Sequence, residues 1–292
     1  SGLQQQKNLQ LHLQCSVVGL EKKNQSFALS FEQSGKKAVK EFDVVVICTG
    51  GRLQVGRASY DHSSPYRLAQ NLGHEVTATR PALGPIKIDP NPFASLAGIS
   101  FLATLTHKHS AQSITEDILL THQGISGPGV LDFTALWQGG DFEINFLPKI
   151  SETDFCSQLQ DQRYQKRKIT SFLCDFWSRR LAHWLASQAS VDASQNIADL
   201  SKAAVKKLRN MIFHYPVTHA HPPKYIHSWT TKGGVGVDQI YPHSLESKIY
   251  SNLFFGGEIL DVTGLCGGYN IAFAALCSEI MSQEILKRIQ GA

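Results

Sequence analysis

Two kinds of hydrophobic pattern alternate along the chain. Residues 9–18 (LQLHLQCSVV) place apolar and other residues in turn, the period of a half-buried strand. Phe27–Phe31 alternates again, Ser34-Gly35-Lys36 has the composition of a turn, and Ala38–Phe42 makes a third alternating run. Together they predict a small antiparallel meander. The next run, Phe42–Thr49 (FDVVVICT), is continuous and β-branched instead, which predicts a strand of a parallel sheet buried on both faces. It ends in Thr49-Gly50-Gly51. Residues 64–72 read as a helix, with Ser63 or Ser64 as cap, Pro65 in the first turn and Gly73 as terminator.

The texture then changes. Pro81, Pro85, Pro90 and Pro92 crowd one short segment and mark a boundary. Beyond it, Ile99–Leu105, Ile118–Thr121 and Phe142–Leu147 read as strands. A helix from Ser126-Gly127-Pro128 to Trp137 has serine as its cap and proline just inside. Residues 151–213 are helical in pattern, with Leu173, Phe176, Trp177, Arg180, Leu181 and Trp184 on one stripe and Leu200–Phe213 as a second amphipathic helix. After a His- and Pro-rich stretch, Ile226–Thr231 and Leu253–Phe255 return as strands. A helix from about Gly268 to Ile289 ends the chain, with Lys287 and Arg288 at its negative dipole end and Gly291 as cap.

Composition narrows the class. The 292 residues are 42% hydrophobic and 18% charged, ordinary values for a globular protein. No apolar run approaches the roughly 18 residues of a membrane helix. Six cysteines without a CxxC pair read as reduced thiols, and hence as a cytoplasmic protein. The formal charge of +4 is too small to imply nucleic acid by itself. Basic residues do gather in the helical segment, at Arg163, Lys166, Arg167, Lys168, Lys202, Lys206, Lys207 and Arg209. No stacking-aromatic pattern accompanies them, so solvated helix faces are the expectation and a nucleic-acid partner is not.

The chemistry lies in glycine loops rather than in acid–base clusters. A P-loop is absent, GGVGVDQ and GLCGGYN fail the spacing of GxGxxG, and Pro128 stands where GxSxG needs glycine. The pairs His107/His109 and His219/His221 have no CxxC or HExxH beside them, so no metal is expected. Three glycine loops remain, Thr49–Gly51, Lys232–Gly234 and Gly256–Gly268. Each follows a predicted strand or turn, and in open α/β sheets ligands bind beyond strand carboxyl ends. Glu258 and the N-terminus of the last helix add a carboxylate and unpaired N–H groups. If the three loops converge at one sheet edge, such a set would seat a large cofactor that brings its own chemistry, the alternative being plain strand–loop–helix crossovers.

Several strings carry a specific resemblance. Residues 44–51 (VVVICTGG), 67–74 (RLAQNLGH), 80–83 (RPAL), 120–131 (LTHQGISGPGVL), 231–235 (TKGGV) and 257–270 (GEILDVTGLCGGYN) match, in order, the HI0933-like flavoproteins, also called BaiN-like or aminoacetone-oxidase-type. The resemblance spans roughly residues 8–285. It implies an α/β fold: a two-dinucleotide-fold FAD-binding core (1–80 and 226–292) interrupted by an α+β insert domain (81–225). It implies a flavoprotein oxidoreductase, with NAD(P)H a candidate electron donor and the substrate an unidentified small molecule. By the same resemblance Thr49, Gly50 and Gly51 lie along the FAD, and Gly257 and Glu258 near its ribityl–pyrophosphate portion. Gly267, Gly268, Tyr269 and Asn270 present backbone to the pyrimidine edge of the flavin. Thr231, Gly233 and Gly234 border its substrate side.

Three departures qualify the resemblance. Cys48 stands where the family has alanine and Cys266 where threonine is common. The family's opening strand, GxGxxG turn and helix, which hold the ADP half of FAD, have no counterpart here. The expectation is an oxidoreductase truncated at its N-terminus by about a hundred residues or more, its partner being that missing segment. The alternative is a non-catalytic relative that serves as a binding module without flavin.

Overall fold

The computed structural model describes residues 8–52 and 64–291. The fold is of the α/β class, and its residues divide into two units, each with its own core. One unit takes the described residues up to Arg80, Thr230–Gly264 and the chain from Gly268 onward. The other takes Pro81–Trp229 with Leu265–Gly267.

In the first unit, β1 (Cys15–Lys22), β2 (Phe27–Gln33) and β3 (Lys36–Phe42) form the antiparallel meander. Ser34 and Gly35 turn between β2 and β3 with φ of 50° and 76°, the left-handed pair that matches strand twist. β1 begins at Cys15, not at Leu9 as the alternation predicted. Leu9, Leu11 and Leu13 are 45%, 56% and 64% exposed, so their alternation meets no surface to bury against. β4 (Val45–Ile47) is shorter than the predicted run and pairs in parallel with β14 (Leu253–Phe255). It is also not buried on both faces: Val45 and Ile47 point inward, whereas Val46 is 42% exposed because no described residue covers that side.

α1 (Ser64–Asn71) runs to Gly73, whose φ of 84° ends it. The candidate cap Ser63 lies outside the described residues, as does the Ser64 side chain. Beyond α1, the His74 ring is buried edge-on to Phe255 at 4.8 Å, with Nε2 2.8 Å from Ser247 Oγ. β5 (Arg80–Ala82) leads the chain out of this unit.

The second unit is built on a seven-stranded antiparallel sheet. Its strands are β6 (Ile86–Ile88), β7 (Ser100–His107), β8 (Ser113–Thr121), β9 (Gly124–Ser126), β10 (Phe142–Asn145), β11 (Tyr215–Val217) and β12 (Ala220–His221). Their order is β11-β10-β7-β8-β9-β6-β12. α2 (Pro128–Leu136) packs on β8. Its N-cap is Gly127 at φ 94°, not the predicted Ser126, with Pro128 in the first turn. The reason is steric: a Cβ on Gly127 would stand 2.8 Å from the Leu119 amide nitrogen, and one on Gly129 3.1 Å from the Glu116 carbonyl. The glycines of GISGPG therefore let α2 approach the sheet.

α3 (Glu152–Gln160), α4 (Ile169–Leu173), α5 (Arg179–Gln188) and α6 (Lys202–Phe213) complete this unit. The predicted stripe from Leu173 to Trp184 straddles α4 and α5, which are separate helices. Phe93, Phe146, Trp184 and Tyr215 form an aromatic cluster with centroids 5.2–6.5 Å apart. The chain returns to the first unit through β13 (Thr230–Lys232), where a single helical turn (Tyr225–His227) precedes a strand shorter than the predicted Ile226–Thr231. It ends in α7 (Tyr269–Gln290), capped by Gly291.

Candidate functional site

Three loops meet in the first unit. β4 ends at Ile47, and the chain passes through Thr49 and Gly50, the latter at φ 72°. Gly51 follows. A Cβ there would fall on the Glu258 carboxylate and the Thr231 hydroxyl, so the glycine is required by close approach. The next residue, Arg52, donates its backbone N–H to Thr231 Oγ1 at 2.8 Å and its guanidinium to Thr79 Oγ1 at 3.1 Å. Glu258 accepts the Thr231 N–H at 2.6 Å. One carboxylate thus ties together segments that lie far apart in sequence.

Glu258 sits in a half-buried position at the end of β14. Burial pushes its carboxyl above the usual carboxylate range, while the Thr231 N–H and hydroxyl pull the other way. Tyr66 Oη donates to the Glu258 carbonyl at 3.5 Å. Beside these loops, Arg52, Tyr66, Arg67, Gln70 and residues 76–79 line a cleft of about 210 Å³. A larger cleft of about 300 Å³ under α7 is lined by aliphatic and aromatic side chains and has no polar anchor for a cofactor.

The other glycine loops are shaped by backbone as well. Gly233 and Gly234 take φ of 89° and 152°, and a Cβ at either position would strike the backbone of residues 77–78 or 259–261. The Gly233 N–H donates to Asp261 Oδ1 at 3.2 Å. Gly257 has φ 73°. At the start of α7, Gly268 is left-handed with φ 88° and supplies no side-chain cap. The first N–H groups of α7 are therefore left for an electron-rich partner. Asn270 does not use its side chain as a cap: its Oδ1 accepts the Gly264 N–H at 2.8 Å and its Nδ2 donates to the Gly264 carbonyl at 3.1 Å. Tyr269 is 64% exposed. Gly267 groups with the second unit, where the neighbouring Cys266 N–H donates to Asp132 Oδ1 at 2.6 Å.

The structure thus brings Gly51, Thr231, Gly257 and Glu258 into one cluster, with Thr49 and Gly50 leading into it. Gly233 and Gly234 extend it, and Gly268, Tyr269 and Asn270 form the α7 end of the same unit. Sequence reasoning missed Arg52, Tyr66 and Lys232. Lys232 is half-buried, and burial together with Arg80 lowers its ammonium pKa while Asp261 partly restores it. Its position inside a glycine loop was the available signal. Arg52 and Tyr66 carried none, since their partners lie 179 and 192 residues away.

Among the described residues, no cluster of His, Cys, Asp and Glu could hold a metal, and no helix is long and apolar enough to cross a membrane.

An α/β unit whose glycine-bearing strand ends gather round a carboxylate, next to an uncapped helix start, is of the class that seats extended nucleotide cofactors. The donor set fits FAD: backbone amides and hydroxyls for its polar chain, and a helix N-terminus for an electron-rich ring edge. A family model described as "HI0933-like protein barrel and H2TH domain" matches residues 80–227. The chain belongs to the HI0933-like family, at family level one of FAD-dependent flavoprotein oxidoreductases. It is 32% identical over 233 residues to a ribosomal RNA dihydrouridine synthase of Haemophilus influenzae, covering 79% of this chain and 57% of that protein. It is 25% identical over 283 residues to the ribosomal RNA dihydrouridine synthase of Escherichia coli, covering 96% and 68%. It is 27% identical over 246 residues to a 3-dehydro-bile acid delta(4,6)-reductase of Clostridium scindens, covering 80% and 59%. The chain therefore spans about three fifths to two thirds of the length of these curated relatives.

Proposed function

We propose that this chain forms the flavin-side half of an FAD-dependent reductase that saturates a carbon–carbon double bond conjugated to a carbonyl, with uridine in RNA as the substrate class. The convergence of Gly51, Thr231 and Glu258 carries the cofactor part of this reading. The reaction type rests on what the relatives' names share. Dihydrouridine formation and the reduction of a 3-dehydro-bile acid both add hydrogen across an activated double bond. Two of the three relatives act on ribosomal RNA by name, which favours uridine over a steroid.

When bound, FAD supplies two-electron chemistry, with NAD(P)H as its reductant. The chain's own residues position it. Thr49–Gly51 would lie along it, and Gly257–Glu258 would sit near its ribityl–pyrophosphate portion. The Glu258 carboxyl, raised by burial, accepts the Thr231 N–H and so fixes the loop that carries Thr231. The N–H groups at Gly268–Asn270 would stabilise negative charge on the ring edge, and Thr231, Gly233 and Gly234 would border the substrate side. The ADP half is assigned to a dinucleotide-binding segment outside these residues, a reading supported by the greater length of the relatives.

A flavin titration tests this. Added with the dinucleotide-binding segment in trans, FAD is expected to show a perturbed visible spectrum and quenched fluorescence. Gly51→Ala is expected to weaken binding at least roughly tenfold, about 1.4 kcal/mol, because its Cβ displaces the carboxylate. If neither FAD nor any flavin is retained with the segment present, the chain is a binding module and the reductase reading fails.

A further inference from the structure

We propose that the α3–α4 loop and the solvent face of α6 form a basic ridge that binds the phosphate backbone of helical RNA. This rests on the reading of RNA as substrate given above. The chain carries +4 overall, yet residues 161–209 alone hold ten Lys and Arg against four Asp, a local +6.

The fold sorts these charges into two kinds. Three of the five arginines are spent on ion pairs, while Arg179 and Arg180 bond His183 and the Ser95 carbonyl. Arg163 pairs with Asp161 at 2.6 Å, Arg167 with Asp175 at 2.7 Å, and Arg209 with Glu152 at 3.3 Å. The lysines are not. Among the described residues, no ion pair engages Lys166, Lys168, Lys202 or Lys206, and all four are exposed. Two acids of the same stretch lie outside those pairs: Asp192, bonded by Ser194 and close enough to Lys168 to feel its charge, and Asp199, just before α6.

Backbone pairing brings the segment with Lys166 and Lys168 beside the one that leads into α6. Ile169 N–H donates to the Gln195 carbonyl, Ile197 N–H to Arg167, and Ala198 N–H to Gln165, at 2.9–3.1 Å. The segment 165–169 therefore runs beside 195–198, with Lys166 and Lys168 outward and Gln165 and Arg167 turned in. Four residues after Ala198 α6 begins, and Lys202 and Lys206 follow one turn apart on its outer face, opposite Leu208 and Ile212. Lys202 lies in the first turn with no acid to balance it, against the preference of the helix dipole. α3 shows the ordinary arrangement, with Glu152 and Asp154 in that place. A phosphate beside Lys202 removes the conflict.

What surrounds the ridge selects the partner. The stretch that carries the lysines, 161–209, holds no large exposed hydrophobic side chain, the exposed Ile226 and Trp229 of the same unit lying beyond it in the chain. A membrane surface or a protein interface needs an apolar anchor, which is missing here. Single-stranded RNA is read by stacking on aromatic faces, and the aromatic of this loop, Tyr164, is half-buried beneath Arg163 and Arg167. Helical RNA is recognised through its phosphates and shape, and lysines act there as point charges.

The test is fluorescence anisotropy with a labelled RNA hairpin, using the full chain, from about 50 to about 200 mM salt. The variant K166Q/K168Q/K202Q/K206Q is compared with K36Q/K37Q, which removes exposed charge from β3. The ridge variant is expected to bind roughly tenfold weaker or worse, with a log–log salt slope shallower by about 3. The β3 variant should match the native chain, and circular dichroism should show both folded. Equal affinity and slope in native and ridge variant would overturn the ridge while leaving RNA as substrate. No hairpin binding by the native chain would overturn both. Heparin and anionic vesicles serve as competitors: if either binds as tightly as the hairpin and loses affinity equally in the ridge variant, the occupant is not RNA.

Discussion

At the scale of single residues, Glu258 is the group on which the candidate site turns. It is a half-buried carboxylate held by backbone and hydroxyl donors with no cation bonded to it among the described residues. Burial dominates, so its folded pKa lies above the ordinary value of about 4.3. The folded state therefore holds a proton that the unfolded chain has already released. The stability this contributes is full below the unfolded pKa and is lost as pH rises through the folded one. Glu258→Gln is neutral throughout and can still accept the Thr231 N–H. Its melting temperature should match the native protein near pH 4 and exceed it at pH 8, by thermal denaturation across that range. A variant equally or less stable at pH 8 would show that the hydrogen bonds, not burial, control this carboxylate. How such a residue stands out in sequence is instructive. Glu258 was visible because it follows two glycines at a strand end. That its carboxylate faces Thr231 and crowds Gly51 was not, because both contacts are made by loops and no period or propensity encodes loop convergence.

At the scale of elements, the strands and helices with strong periodicity were legible, and those set by neighbours were not. The meander, the β14 strand and the terminal helix declare themselves through alternation, an apolar run and a long helical pattern with charged and glycine end signals. The length of β4 is decided by β14, which pairs with it over only Val45–Ile47. The separation of α4 from α5 is decided at residues 174–178, where the stripe of apolar residues continues although the helix does not. The join between β14 and α7 shows how tightly such neighbours fit. A Cβ at Gly256 would stand 2.4–3.2 Å from Met281, Cys277 and Cys48, the first by its terminal methyl, although Gly256 has an ordinary extended φ of −147°. Gly256→Ala should therefore destabilise by about 1–3 kcal/mol through overpacking. Because Met281 is the flexible neighbour, G256A/M281L should lose less than the sum of its single variants in urea denaturation; strict additivity would remove Met281 from the account. At the far end of α7, Arg288 grips Glu246 through two bonds of 2.6 and 2.8 Å and also reaches Glu284 and Asn252. Burial raises the Glu246 carboxyl, but Arg288 and the Asn252 N–H outweigh it and hold the pKa below the usual range. That stability is present above the unfolded pKa and is lost as pH falls through the depressed one. Arg288→Ala strands a side chain only 9% exposed. With the partly exposed arginine discounted, it should lower stability by about 2 kcal/mol at pH 7, and the gap to native should close as pH falls below about 4.

At the scale of the whole molecule, the two cores share no residue. The buried cluster of the second unit draws every member from between Ile86 and Val217. That of the first draws from Leu20–Leu72 and again from Val235–Met281, on either side of the second unit in the chain. A contiguous core needs nothing from the flanking chain to close. Residues 81–229 alone make a domain of a size that buries about two thirds of its unfolded surface. The fragment keeps its seven-stranded sheet, its helices and the aromatic cluster around Phe93, and loses the pairing of β5 with β13 and the Cys266 N–H on Asp132. It is expected to unfold in one cooperative transition, with coincident near- and far-ultraviolet dichroism curves in urea. The first unit has the opposite design, since β4 from the early stretch pairs with β14 from the late one. Its folding must wait until both have been made and brought together. A fragment 81–229 that bound a hydrophobic dye and lost its near-ultraviolet signal would show that its core depends on the rest of the chain. A cooperative fragment would instead let the lysine ridge and the glycine-loop site be tested on separate molecules.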